Sequence, residues 1–151
     1  MKKKVISILE TAPLEEAVKL FIEWHIGTLP VVNQANHLTG LLKMHDLLTL
    51  VMPDFIALVE DFDFVHDFGA VEARHPSPET LARLVKAFMR PPISVKETCR
   101  LVRAAAVLNQ QNLFDLPVID AQGHLVGIAS RVDIGVALMT SWNDEIAEDE
   151  Q

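Results

Sequence analysis

Cysteine is nearly missing from this chain: Cys99 is the only one in 151 residues. No intrachain disulfide can form, and a reducing, cytoplasmic setting fits best. Clustered positive charge is missing too. The formal net charge is −8, and no run of Lys and Arg supplies the groove that a DNA or RNA backbone needs, so no nucleic-acid polymer is expected as a partner. No stretch reaches the length of a membrane span, so no membrane partner is expected either. Lys2-Lys3-Lys4 opens like a secretion signal, but Glu10 and Pro13 break the apolar stretch behind it, which argues against that reading.

What the chain has is a repeat. Half of its residues are hydrophobic, ample for the core of about one domain. Residues 6–46, moved forward by 87 positions, lie on residues 93–133 without a gap and match at thirteen of forty-one positions. The matches include Leu29-Pro30-Val31 with Leu116-Pro117-Val118, Gly40 with Gly127 and Asp46 with Asp133. Two copies of one unit usually pack on each other, because neither buries its apolar face alone. The seam between them is a natural cleft.

Each copy reads as β-α-β-β-α, an α+β arrangement. In the first, Ser7–Leu9 is a short leading strand, and Thr11 with Pro13 looks like a helix start, with Glu15 and Glu16 in the favourable first turn. Leu14, Ala17, Val18, Phe21 and Ile22 recur at helical spacing, and Gly27 is expected to end that helix. Leu29–Val32 is a strand with Pro30 at its beginning. Asn33–Asn36 is a turn, Leu38–Leu42 the second hairpin strand, and Met44 to about Val51 a helix. In the second copy Ile93–Val95 leads and Thr98 is the expected cap. A helix carries Leu101, Ala104, Ala105 and Leu108, the strands are Leu116–Ile119 and Leu125–Ala129, and the last helix runs from Arg131 to about Thr140. The expected organisation is a first unit over 1–51, a partly helical connector over 52–88, a second unit over 89–141 and an acidic tail over 142–151. Pro53, Phe55, Ile56, Leu58, Val59, Phe62, Phe64 and Val65 make the connector too apolar for a flexible linker. Thr80–Met89 shows a helical pattern, and the tail from Asn143 is expected to fray.

The sharpest local signal is Gly127-Ile128-Ala129-Ser130-Arg131-Val132-Asp133, where a strand becomes a helix. A helix N-terminus offers free N–H groups and positive potential to a phosphate. Ser130 can add a hydroxyl, Arg131 can pair with phosphate, and Asp133 can accept from two ribose hydroxyls. Ser-x-x-Asp at a helix start is also a capping box that needs no ligand.

The order of leading strand, helix, Leu-Pro-Val strand, turn and Gly-h-x-Ser-x-x-Asp resembles the CBS domain over residues 5–51 and 91–140. Two in tandem resemble a Bateman module. The resemblance implies two units packed head to head about a pseudo-twofold axis. It implies nucleotide sites in the cleft between them and a homodimer built through the helices. It assigns phosphate and ribose to Ser130 and Asp133, and adenine to the surroundings of Ile93, Ser94, Phe114, Leu116 and Pro117. In the first copy the motif reads Gly40-Leu41-Leu42-Lys43-Met44-His45-Asp46. Lys43 replaces the hydroxyl; it either neutralises a phosphate or fills the site with its stem. Asp46 keeps the acceptor or merely serves the helix dipole, and His45 lies close enough to touch phosphate. A weak or empty first site is the favoured reading.

Other candidates have plainer explanations. His37 and His124 are equivalent turn residues. The acidic stretch Glu60–Asp67 lacks the glycine turn and ligand order of a calcium loop, so no metal is expected. Trp24 and Trp142 read as packing or interface residues, and Cys99, at a helix start, has no readable catalytic partner. The expected function is therefore a non-enzymatic regulatory module with no required cofactor. Its regulatory ligand would be AMP, ADP, ATP or S-adenosylmethionine, and its output would pass to an unidentified protein. The alternative is a ligand-free interaction module of the same fold.

Overall fold

A computed structural model describes residues 4–52 and 75–149, with side chains through Asn143. The first unit comprises β1 (Ile8–Leu9), α1 (Leu14–Trp24), β2 (Thr28–Val32), β3 (Leu38–Lys43) and α2 (Met44–Leu48). A short α3 (Pro78–Ala82) and a 3-10 turn (Val85–Ala87) lead to the second unit: β4 (Val95–Lys96), α4 (Leu101–Gln110), β5 (Asp115–Ile119), β6 (Leu125–Ser130) and α5 (Arg131–Asp149). Each unit holds a three-stranded sheet, with its leading strand parallel and its last strand antiparallel to the middle one. The register is duplicated pair for pair. Ile8↔Val31 becomes Val95↔Val118, Pro30↔Leu41 becomes Pro117↔Ile128, and the bulge after Val31 recurs after Val118.

Strained backbone positions repeat as well. His25 (φ 49°) closes α1 in the left-handed region, and Asn112 (φ 50°), at the equivalent place, follows α4. Gly27 is thus not the residue that ends α1. Asn36 (φ 62°) and Gly123 (φ 90°) hold the matching hairpin turns.

Pro30 sits in the middle of its strand, not at its beginning, and that strand is central. The Leu41 N–H opposite it turns outward to the Arg90 carbonyl. The Pro30–Leu41 pair is therefore a non-hydrogen-bonded one that asks no donor of proline. Neither Thr11 nor Thr98 caps a helix: the N-cap positions are Pro13 and Arg100, without a side-chain bond.

Two apolar clusters form the core. One gathers Ile8, Leu14, Ala17, Phe21, Leu29, Val31, Leu42 and Val85; the other gathers Leu41, Ala104, Leu108, Leu113, Leu116 and Ile134. Leu41 belongs to a first-unit strand yet fills the second unit's core, which joins the two sheets. At the tip of the seam the hairpins clasp directly. Leu125 N–H donates to the Asn36 carbonyl at 3.0 Å, Asn36 Nδ2 donates to the Leu125 carbonyl at 3.0 Å, and the His37 and His124 rings lie 4.5 Å apart.

The Thr80–Met89 helix is not formed. After α3, Arg83 and Leu84 are extended and Val85–Ala87 make the 3-10 turn. Bonds to the first unit replace helical ones: Leu14 N–H to the Arg83 carbonyl, Val85 N–H to Ala12 and Lys86 N–H to Glu10. Val85 is fully buried there. Gly40 permits a second close approach, because a Cβ on it would lie 2.8 Å from the Arg90 carbonyl oxygen. The last helix does not stop near Thr140 or fray from Asn143; its backbone is helical to Asp149. The apolar connector residues from Pro53 to Val65 and the acidic stretch Glu60–Asp67 lie outside the described residues. Among the described residues no cluster of His, Cys, Asp or Glu is arranged to hold a metal.

Candidate functional site

The strand-to-helix junction at Ser130 forms because β6 ends on a hydroxyl residue that caps α5. Ser130 Oγ accepts the Asp133 N–H at 3.0 Å, and Asp133 Oδ2 accepts the Ser130 N–H at 3.1 Å. This is the reciprocal capping box. It orients both side chains and holds them at the mouth of α5.

Ser130 and Asp133 line a cleft of about 220 Å³ whose opposite wall comes from the first unit: Lys4, Ile6, Trp24, Ile26 and Thr28. Asp115 and Ile128 complete it. The Lys4 ammonium sits 5.8 Å from the centre of the Trp24 ring, in cation–π range. Trp24 is 44% exposed and Thr28 is buried. The cleft thus offers a flat aromatic face, an apolar floor, one cation, a hydroxyl and carboxylates.

The other expected site residues separate into different places. The Arg131 guanidinium turns away from the cleft, donates to the Leu113 carbonyl at 2.8 Å and lies over the Phe114 ring. Ile93 packs against the second unit's core, and Ser94 lines a groove beside the start of α4. Leu116 and Pro117 are fully buried, with no surface left for a base. Phe114, 65% exposed, joins Lys43, Met44 and His45 in a second cleft of about 400 Å³. Adenine-facing residues expected from the second unit are therefore not beside Ser130; the first unit supplies that wall. Sequence reading missed Lys4, Ile6, Trp24, Ile26 and Thr28. The signal was the repeat itself, since head-to-head units turn the mouth of one towards the leading segment of the other.

The polar side chains of the first-unit motif are engaged by the chain itself. Arg90 Nε lies 2.9 Å from both carboxylate oxygens of Asp46, and its Nη2 donates to Asp46 Oδ1. Lys43 Nζ donates to the Gln111 carbonyl at 3.3 Å. The Arg90 hydrogen bonds, helped by its charge and opposed by burial, hold the Asp46 carboxyl below its ordinary value. Asp46 is thus neither a free acceptor nor a simple helix-dipole acid.

The model of the CBS domain family matches residues 1–53 and 85–139. The chain therefore belongs to the CBS domain family and carries the domain as a tandem pair. It is 31% identical over 141 residues to the CBS domain-containing protein CBSX1, chloroplastic, of Arabidopsis thaliana; the match covers 88% of this chain and 59% of that protein. It is 28% identical to the uncharacterized protein MJ1426 of Methanocaldococcus jannaschii, over 91% of this chain and 88% of that one. The crystal structure of CBSX2, solved in complex with AMP, superposes with a TM-score of 0.67 at 26% identity, over 92% of this chain and 90% of that chain. The chain spans about three-fifths of the length of CBSX1. No helix among the described residues is long and apolar enough to cross a membrane.

Proposed function

We propose that this chain is a regulatory module that binds an adenine nucleotide or related adenosyl compound in the cleft between its two units. The observation that carries this reading is the meeting of Ser130 and Asp133 with Trp24 and Lys4 across the seam. An adenine ring would stack on Trp24 and rest on Ile6 and Ile26. The ribose would reach Asp133, and a phosphate would meet the α5 mouth, the Ser130 hydroxyl and Lys4. The enclosed volume is below that of a typical drug-sized site, so the bound ligand would remain partly open to solvent. AMP, held by CBSX2 at 26% identity, heads the candidates, with ADP, ATP and S-adenosylmethionine behind it. This reading assigns no catalytic step and no required cofactor; the output passes to a regulated protein. One site per chain is expected, because Arg90 and Lys43 occupy the first-unit motif. Homodimerisation would use the exposed stripe of Val132, Val136 and Met139 on α5.

A thermal-shift panel of AMP, ADP, ATP, S-adenosylmethionine, NAD and cyclic dinucleotides tests the reading. Ligand at a hundred times its dissociation constant adds ~2.7 kcal/mol, a rise of roughly 5–10 °C for a chain of this size. No rise with any of them would favour the second reading, a ligand-free interaction module, which the self-satisfied Ser130–Asp133 box supports. Consumption of a nucleotide over time would contradict both.

A further inference from the structure

The duplicated register extends to a groove that is filled in one unit and vacant among the described residues in the other. In the first unit the segment Arg83–Phe88 lies across the start of α1. The backbone bonds are Leu14 N–H to Arg83, Val85 N–H to Ala12 and Lys86 N–H to Glu10, and Leu84 bridges Pro13. Val85 is the anchor and is fully buried. Advancing those partners by 87 positions gives the Leu101 N–H and the Cys99 and Glu97 carbonyls. No backbone segment pairs with them among the described residues. In place of a covering strand there is a groove of about 610 Å³, floored by Val95, Val107 and Ile119.

The charges of the two grooves differ: Glu97 repeats Glu10, but Val102 and Arg103 stand where the first unit has Glu15 and Glu16. The filled groove carries Glu10, Glu15 and Glu16, and its occupant carries Arg83 and Lys86. The vacant groove is rimmed by Lys96, Arg100 and Arg103. None of these cations joins an ion pair among the described residues. In a chain of net charge −8 such a rim stands out.

We propose that this groove docks an extended acidic peptide of a partner protein. The peptide would repeat the backbone bonds that Arg83–Phe88 makes in the first unit, sink one aliphatic side chain where Val85 sits in the other groove, and set its carboxylates on Arg100 and Arg103. The mode is the addition of an extended strand, in which main-chain bonds give affinity and side chains give choice. The chain's own acidic C-terminal residues are a poorer fit, because their backbone is helical to Asp149. This proposal is independent of the nucleotide reading, since the groove shares no residue with the Ser130 cleft.

The test uses fluorescence anisotropy with the labelled peptide Glu-Leu-Val-Glu-Ala-Phe, which is residues 83–88 with both basic positions made acidic, and its basic parent Arg-Leu-Val-Lys-Ala-Phe. The acidic peptide is expected to bind at least tenfold more tightly than the basic one. Replacing its Val by Asp is expected to abolish binding. The double variant Arg100→Glu, Arg103→Glu, exposed in both positions and checked for an unchanged thermal midpoint, is expected to reverse the preference. Bound peptide should also slow alkylation of Cys99, the only thiol. Equal affinity for both peptides, no binding at millimolar peptide, or binding that leaves Cys99 alkylation unchanged would overturn the proposal. So would equal displacement of the peptide by inorganic phosphate, which would reduce the groove to a general anion site.

Discussion

Single side chains set the two halves of the repeat apart. Asp46 and Asp133 are the same residue in the two copies, yet Asp133 faces the cleft while Asp46 is clamped by Arg90. Because the clamp depresses the folded pKa of Asp46, its stabilising effect is present above the ordinary carboxylate value of about 3.9 and is lost as pH falls through the lower folded value. Asp46→Asn should therefore lower the thermal midpoint at pH 7, with the gap to wild type closing as the solution is taken below about pH 4. A gap independent of pH would show that the pair contributes nothing electrostatic. In the open cleft, Trp24→Ala should weaken adenosyl binding by about 1–3 kcal/mol, the usual loss of an aromatic platform under a base. Titration calorimetry reads this directly, and unchanged affinity would return Trp24 to a packing role. His25, left-handed behind α1, is strained for a residue with a Cβ. His25→Gly should raise stability by ~1 kcal/mol, seen as a midpoint shift of roughly 2–4 °C. The Ser-x-x-Asp signature and the loss of its hydroxyl at Lys43 were both legible in the sequence. The Arg90 clamp was not, because it spans 44 residues and no local pattern reports it.

At the scale of elements, periodicity and turn chemistry located the strands and the long helices. They failed where tertiary bonds outweigh local preference. Residues 80–89 have helical spacing, yet Arg83–Lys86 spend their backbone groups on Leu14, Ala12 and Glu10, so the helix breaks and only Val85 is fully buried. The missing N–H of Pro30 argues for a strand end; pairing that leaves the Leu41 N–H facing Arg90 accommodates it in the centre. Leu41 illustrates how the elements knit together. It lies on β3 of the first unit, is fully buried, and packs in the second unit's cluster. Leu41→Ala should cost about 2–5 kcal/mol. Urea unfolding should show one transition moved as a whole, since the cavity opens where the units meet. Two separate transitions, with only one displaced, would contradict a shared core.

For the whole molecule the repeat announced two units and a cleft between them, and that much followed from thirteen matched positions. Which residues face each other across the cleft did not follow. A one-dimensional alignment pairs Ser130 with its own unit's leading strand, whereas head-to-head packing turns it towards Ile6, Trp24 and Ile26. Ile93, Ser94, Leu116 and Pro117, which the sequence groups with Ser130, lie instead in the second unit's core, in the groove beside α4 and in the buried strand β5. Under the proposed function, the pseudo-twofold arrangement would be the means of signalling. A ligand touching both units would favour the arrangement in which both walls are in place, shifting the population by its differential affinity for that state. The most direct test is calorimetric titration of the intact chain with AMP. One ligand per chain is predicted, with affinity reduced by about 2 kcal/mol in Asp133→Ala, where charge-assisted bonds are removed, and unaffected by Asp46→Asn. Two ligands per chain, or binding that survives Asp133→Ala but is lost in Asp46→Asn, would place the site in the wrong half of the molecule and contradict the account.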